Sequence, residues 1–144
     1  MSNYSRFIHG VTIGDVPITM THPGKVFWVN GGTVLADKGI GGSGTNPGTY
    51  TKPFATIAQA LDKCTANRGD IIMVMPGHSE TVTTDGGVAL DVAGVAILGL
   101  GSGSLRPKFV LDTAAAAAVT VTAANVTLHN FILEASFADV TNAI

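Results

Sequence analysis

Ile71-Ile72-Met73-Val74-Met75, closed by Pro76-Gly77, is the stretch on which the fold turns. It is one of the three strongest apolar segments in the second half of the chain, with 95–98 and 126–133. Their starts lie roughly 24 to 31 residues apart, which is the spacing of a structural repeat. Between them, 81–84 corresponds to 109–112 and 88–92 to 119–122, both offset by about thirty residues. Three short strands per repeat, in the same order each time, are what one turn of a three-faced β-solenoid requires. Turn chemistry separates this from an antiparallel sandwich. Apart from Asp85-Gly86-Gly87 there is little hairpin signal, whereas corners are marked at Pro76-Gly77, Ala93-Gly94, 99–103 and 123–125. Parallel stacking fits better. The alanine run 114–118 precedes the alternating Val119-Thr120-Val121-Thr122 and reads as a close-packed corner and strand start, despite its helix propensity.

Upstream, Phe54, Ile57, Ala58, Leu61 and Cys64 fall on one helical face, with Pro53 in the first turn, so a helix is predicted over about 53–65. Asn67 to Gly69 supplies its left-handed stop. Residues 39–48 are glycine-rich and read as a flexible loop, and 25–29 as a compact β-prone run. Residues 1–24 read as an extended arm, because Gly10, Gly14, Pro17 and Pro23 interrupt any long element. The expected organisation is therefore an arm over 1–24 followed by one all-β domain over 25–144.

Composition narrows the function. Of 144 residues 46% are hydrophobic and only 12% charged, so the chain buries much of its surface or shares it with partners. The net charge is −2 and the eight Lys and Arg are scattered, which offers no basic stripe for nucleic acid. No apolar run of membrane-spanning length and no signal-peptide pattern are visible. Cys64, the single cysteine, sits on the apolar helical face and reads as a packing thiol.

The stretch from Gly42 to Leu61, containing Lys52-Pro53-Phe54-Ala55-Thr56-Ile57, resembles the leading segment of pectate-lyase-like right-handed β-helix proteins. In those proteins a Gly- and Asn-rich loop and an amphipathic helix come just before the first coil. A helix laying Phe54, Ile57 and Leu61 over the open lumen would cover about 1.5 to 3 kcal/mol of apolar burial per large side chain. The resemblance implies a short right-handed parallel β-helix of two to three coils with one capping helix. More widely, Gly24-Lys25-Val26-Phe27-Trp28-Val29-Asn30 and the stretch from Gly69 to Thr81 are similar to virion structural proteins of tailed bacteriophages. That likeness implies a capsid-decorating or otherwise virion-attached protein, usually trimeric.

Candidate chemistry is sparse. Lyases and hydrolases on this fold need clustered Asp, Glu, Lys or Arg on successive coils. Here Asp70 and Asp91 read as isolated at strand edges, Asp112 ends a strand, and Lys108 is the only lysine beyond the helix. His78 with Glu80 is the sharpest polar pair, but it lacks a third ligand or a nucleophile and reads as a turn-stabilising hydrogen bond. His129 is placed outward beside Thr127; His9 and His22 have no partners in sequence. The loop lacks the Gly-Lys-Ser/Thr ending of a phosphate cradle, and Asp37, Thr45 and Asn46 are at most a weak calcium set. The expected protein is not an enzyme and has no metal or cofactor. It is expected to be a capsid cement or decoration protein on the virion's outer surface, a homotrimer bound to the major capsid protein, with neither nucleic acid nor membrane as partner. A solenoid this short, ending on a strand-like pattern, is marginal alone, so neighbours are expected to complete it. The arm residues Val11, Ile13, Val16, Ile18 and Met20 are the expected partner-binding set, added as a strand to a neighbour. The alternatives are a tail-spike or fibre segment binding host glycan and, less favoured, a polysaccharide lyase or hydrolase. The scarcity of aromatic residues argues against glycan binding.

Overall fold

The computed structural model describes residues 11–13, 16–18, 24–36, 38–83, 87–112 and 117–136. Its elements, in chain order, are β1 Val11–Ile13, β2 Val16–Ile18, β3 Val26–Val29, α1 Thr33–Ala36, α2 Ile57–Leu61, β4 Ile71–Val74, β5 Ser79–Val82, β6 Val88–Leu90, β7 Ala96–Gly99, β8 Lys108–Leu111, β9 Val119–Val121, β10 Thr127–His129 and β11 Ile132–Ala135. The structure is mostly strand, and apart from the β1–β2 pair its sheets are parallel.

Three sheets are laid down in rotation. The first has the order β10-β7-β4-β3, the second β11-β8-β5 and the third β6-β9. The chain visits them as β4, β5, β6, then β7, β8, β9, then β10 and β11. Each strand therefore lies beside its counterpart one repeat earlier. In the first sheet Phe27, Ile72, Ile97 and Leu128 stand in one row, and Val29, Val74 and Gly99 in another. The second places Glu80, Phe109 and Leu133 in a row, with Val82, Leu111 and Ala135 in the next. The third sets Val88 beside Val119 and Leu90 beside Val121.

Most of these rows form one core. Phe27, Val29, Ile72, Val74, Val82, Val88, Leu90, Ile97, Phe109, Leu111 and Val119 are all buried in a single cluster. Period-two alternation sends these positions to one face of each strand. The ring of Phe109 also stacks on Phe131, centroids 5.2 Å apart.

The corners before the first sheet share a backbone requirement. Gly69, Gly94 and Asn125 stand two residues before register partners Ile71, Ala96 and Thr127, and all three have positive φ, 77°, 73° and 57°. Glycine and asparagine tolerate this left-handed turn, whereas branched residues do not. The amide of Gly94 donates to the carbonyl of Ala124 at 3.0 Å, linking one corner to the next.

The helix is shorter than the sequence predicts. It spans Ile57–Leu61 and not 53–65, because Thr56 closes a capping box with Gln59, and Phe54 instead bridges to Val29 as an extra parallel contact. Its buried residues are Ile57, Ala60 and Leu61, while Ala58 is exposed. α2 packs against β3, β4 and β6, over the end of the stack where the chain enters. The loop expected over 39–48 has no regular structure but is knitted in place: Asn46 Nδ2 donates to the carbonyl of Pro53 at 2.8 Å, and Ser43 N to the same carbonyl at 3.1 Å. The correspondence of 81–84 with 109–112 is off by one residue, since Ser79–Val82 pairs with Lys108–Leu111. The pairing of Val88 with Val119 agrees with the correspondence of 88–92 to 119–122. Within the expected extended arm, β1 and β2 form an antiparallel pair. The alanines 114–116, Asp85 and Gly86 lie outside the described residues; Ala117 and Ala118 are buried.

Phe109→Ala is expected to lower unfolding free energy by about 3–5 kcal/mol, because it empties the centre of the second-sheet row. Thr81→Ala, on the exposed side of β5, is expected to change it by under about 0.5 kcal/mol. Urea unfolding followed by circular dichroism compares the two.

Candidate functional site

Two polar clusters are built into the end of the stack where the chain enters. The first centres on His78, which follows the corner Pro76-Gly77 and has a fully buried side chain. Its Nδ1 accepts the backbone N–H of Gly31 at 2.7 Å. That leaves the proton of the neutral ring on Nε2, which faces Glu80 Oε2 at 3.3 Å. Glu80 occupies an inward row, under α2, and the same oxygen accepts the N–H of Ile57 at 3.1 Å. The pair thus joins three segments: the turn after β3, the first strand of the second sheet and the first turn of α2. The sequence expectation of a hydrogen bond confined to the turn is too local.

Asn30 extends this cluster. It is buried, its Oδ1 accepts the N–H of Gly32 at 3.1 Å, and its Nδ2 donates to the carbonyl of Ile40. Each of these polar atoms has a protein partner, and no buried side-chain nitrogen or oxygen among the described residues lacks one. What the arrangement does chemically is hold backbone. Both imidazole nitrogens are engaged, so His78 as placed here has no free atom with which to take a proton from a substrate.

The second cluster centres on Asp70, which the sequence alone places as an isolated strand-edge residue. Its side chain is 0% exposed. Oδ1 accepts the N–H of Lys25 at 2.6 Å and Nε of Arg68 at 2.8 Å; Oδ2 accepts the N–H of Thr65 at 2.7 Å and Nη2 of Arg68 at 2.6 Å. Burial alone would raise the carboxyl, but the Arg68 hydrogen bonds and the amides of Thr65 and Lys25 outweigh it and hold it below its ordinary value. Cys64 lies beside this cluster. Burial, and after it the Asp70 carboxylate, push its thiol up to about 12, which leaves it without nucleophilic thiolate and fits the packing role read from sequence.

The remaining candidates are not brought together. His129 and Thr127 are exposed on β10. Lys108 pairs with Glu134 at 2.9 Å on the outer side of the second sheet. Thr45 Oγ1 is engaged with Ser43 Oγ at 3.0 Å, and Asn46 with the loop carbonyls. Among the described residues no group of three His, Cys, Asp or Glu could hold a metal ion, and no helix is long and apolar enough to cross a membrane. Asp37, His9, His22 and Met20 lie outside the described residues. The other four arm residues are placed by backbone: Val11 opposite Ile18, and Ile13 opposite Val16.

The opposite end of the stack is built differently. β9, β10 and β11 are the outermost strands of their three sheets, and all lie at the same end. The inward rows finish there on Val121, 50% exposed, and Leu133, 39% exposed. Among the described residues no strand pairs with their outer edges.

No protein-family profile, curated protein or solved structure matches the chain.

The lowered Asp70 carboxyl fixes the sign of an acid dependence. Its contribution to stability is present above the ordinary carboxyl range and is lost as pH falls through the lowered folded value. Asp70→Asn is expected to cost about 3 kcal/mol near neutral pH, by leaving Arg68 and the two amides without a carboxylate. It is also expected to flatten the fall of the urea midpoint below about pH 4. His78→Ala is expected to cost about 2 kcal/mol through the freed Gly31 amide, with the same measurement as readout.

Proposed function

We propose that the chain is a short right-handed parallel β-helix of two to three coils and serves as a structural protein of a virion, of the capsid decoration or cement type. The observation that carries this reading is the contrast between the two ends. One end is covered by α2 and tied by Asp70 and His78; the other, among the described residues, presents three strand edges around apolar positions at Val121 and Leu133. Unpaired parallel edges around an apolar interior are a surface for another polypeptide. Right-handedness follows the general rule for parallel crossovers. The virion assignment rests on the sequence likeness to tailed-phage structural proteins.

On this reading the protein is a homotrimer on the outer surface of a capsid, bound to the major capsid protein, and binding needs no catalysis or cofactor. Closed three-fold assembly suits a chain with few charges and many small residues. A second reading, a tail-spike or fibre segment that binds host glycan, draws support from the exposed ring of Tyr50, which stands edge-on to Trp28 with centroids 5.0 Å apart.

Sedimentation of the purified protein is expected to give a trimer. Val121→Asp with Leu133→Asp is expected to abolish co-sedimentation with capsids that lack the protein, while the circular dichroism of the folded chain is kept. A stable monomer whose attachment survives both substitutions would overturn the reading. Glycan binding lost on Tyr50→Ala, with no capsid attachment, would favour the second.

A further inference from the structure

The first sheet is apolar on both faces. Its inward row, Phe27, Ile72, Ile97 and Leu128, belongs to the main core. The alternate positions form two outward rows, Val26-Ile71-Ala96-Thr127 and Trp28-Met73-Leu98-His129. On this outer face Ile71, Met73 and Leu98 make a separate cluster with Trp28, Ala96 and Leu100 around it. Met73 is only 2% exposed, and Ile71 and Leu98 are 6% exposed. Side chains standing next to one another on a sheet cannot bury each other to that degree; a parallel sheet with two apolar faces needs a layer on each.

Apart from β1 and β2, no described helix or strand supplies the second layer. The elements packed extensively on β4 and β7 are their in-sheet neighbours and α2, and the buried residues of α2 belong to the main core. Tyr50 stands against Trp28 at the β3 border.

The β1–β2 hairpin has the complementary deficiency. Its register sets Val11 opposite Ile18 and Ile13 opposite Val16, so the four share one face, with Thr12 and Pro17 on the other. A two-stranded hairpin is marginal in water unless one face is packed against something. The connection to the first sheet is short and attached at the right place. Residues 19–24 lead directly to Lys25, whose amide is held by Asp70 at the start of β3. Extended, six residues reach about 20 Å, whereas β7 lies only two strand spacings, about 10 Å, from β3.

We propose that the β1–β2 hairpin packs its Val11, Ile13, Val16 and Ile18 face onto the outer face of the first sheet of its own chain, over Ile71, Met73 and Leu98. This differs from the expectation that these residues engage a neighbour. It makes the N-terminal segment an intramolecular second layer, independent of what binds the open end of the stack.

Trp28, the single tryptophan, stands in the Met73 row and reports on this face. The full chain carrying Ile13→Asp and Val16→Asp is expected to show acrylamide quenching of Trp28 at least twofold above the unsubstituted protein, with a red-shifted emission. Thr12→Asp, on the other hairpin face, is expected to leave both unchanged. Unchanged quenching in the double variant would overturn the proposal. A second measurement leaves the apolar face largely intact: Ile13→Cys with Leu98→Cys, in a Cys64→Ser background, treated with a short bismaleimide. A cross-link within one chain is expected. A cross-link between chains would assign the hairpin to a second copy, and no cross-link would assign the cover to another segment; either result overturns the proposal.

Discussion

The Asp70 carboxylate is the constraint on which the register of the whole stack depends. Residues 30–70 separate β3 from β4, and that excursion has to close with Val26 beside Ile71 and not one residue either way. A slip of one would turn every apolar side chain of the strand to the wrong face. Asp70 prevents it by gripping Lys25 N–H, immediately before β3, while itself standing immediately before β4. Its other oxygen holds Thr65, which fixes where the chain leaves α2. A buried carboxylate is costly unless its lone pairs are filled, and here four donors fill them. The group is therefore stable only when β3, the α2 exit and Arg68 are all in place, which couples those segments into one cooperative unit.

The parts of the fold legible in the sequence are those whose signal is carried by apolar side chains at fixed spacing. The runs 71–75 and 95–98 each supply one strand of the first sheet, and the Gly- and Asn-marked corners fall between strands as expected; the run 126–133 does not stay in one strand, because Asn130, at φ 63°, turns the chain from β10 in the first sheet to β11 in the second. Periodicity overstates the helix because Phe54 falls on the right helical phase, yet its backbone pairs with β3 and Thr56 takes the cap. Periodicity cannot distinguish a buried ring in a bridge from one in a first helical turn. Asp70 looks isolated in sequence because its partners are two backbone amides and Arg68, two positions away, none of which leaves a charge pattern at long range. The β1–β2 pair had a signal that could have found it: Gly14-Asp15 is a two-residue Gly-X spacer between short apolar strands, a favoured hairpin connection, masked by Pro17.

Asn30, Asp70, His78 and Glu80 all hold backbone amides of the stack. His78 and Glu80 carry the residue types of an acid–base pair, but their arrangement spends both on backbone amides, Gly31 for one and Ile57 for the other. The same two side chains in an open groove would invite a catalytic interpretation. What separates the two cases is whether the buried polar atoms already have partners within the protein, and among the described residues no buried side-chain nitrogen or oxygen lacks one.

The left-handed corner at Gly69, Gly94 and Asn125 has an evolutionary consequence. Because the difficult backbone turn recurs at the same place in each repeat, a tandem duplication of one repeat copies its own corner with it, and the chain can change length without redesigning its interior. Tolerance to substitution should then be graded along the molecule. The corner at Gly94 lies against Asn67, whose Cα would stand 3.2 Å from a Cβ gained there, and its amide is tied to Ala124 on the other side. Asn125 has a described neighbour on one side only, and the least constrained copy of the turn is the one from which new length would most readily grow.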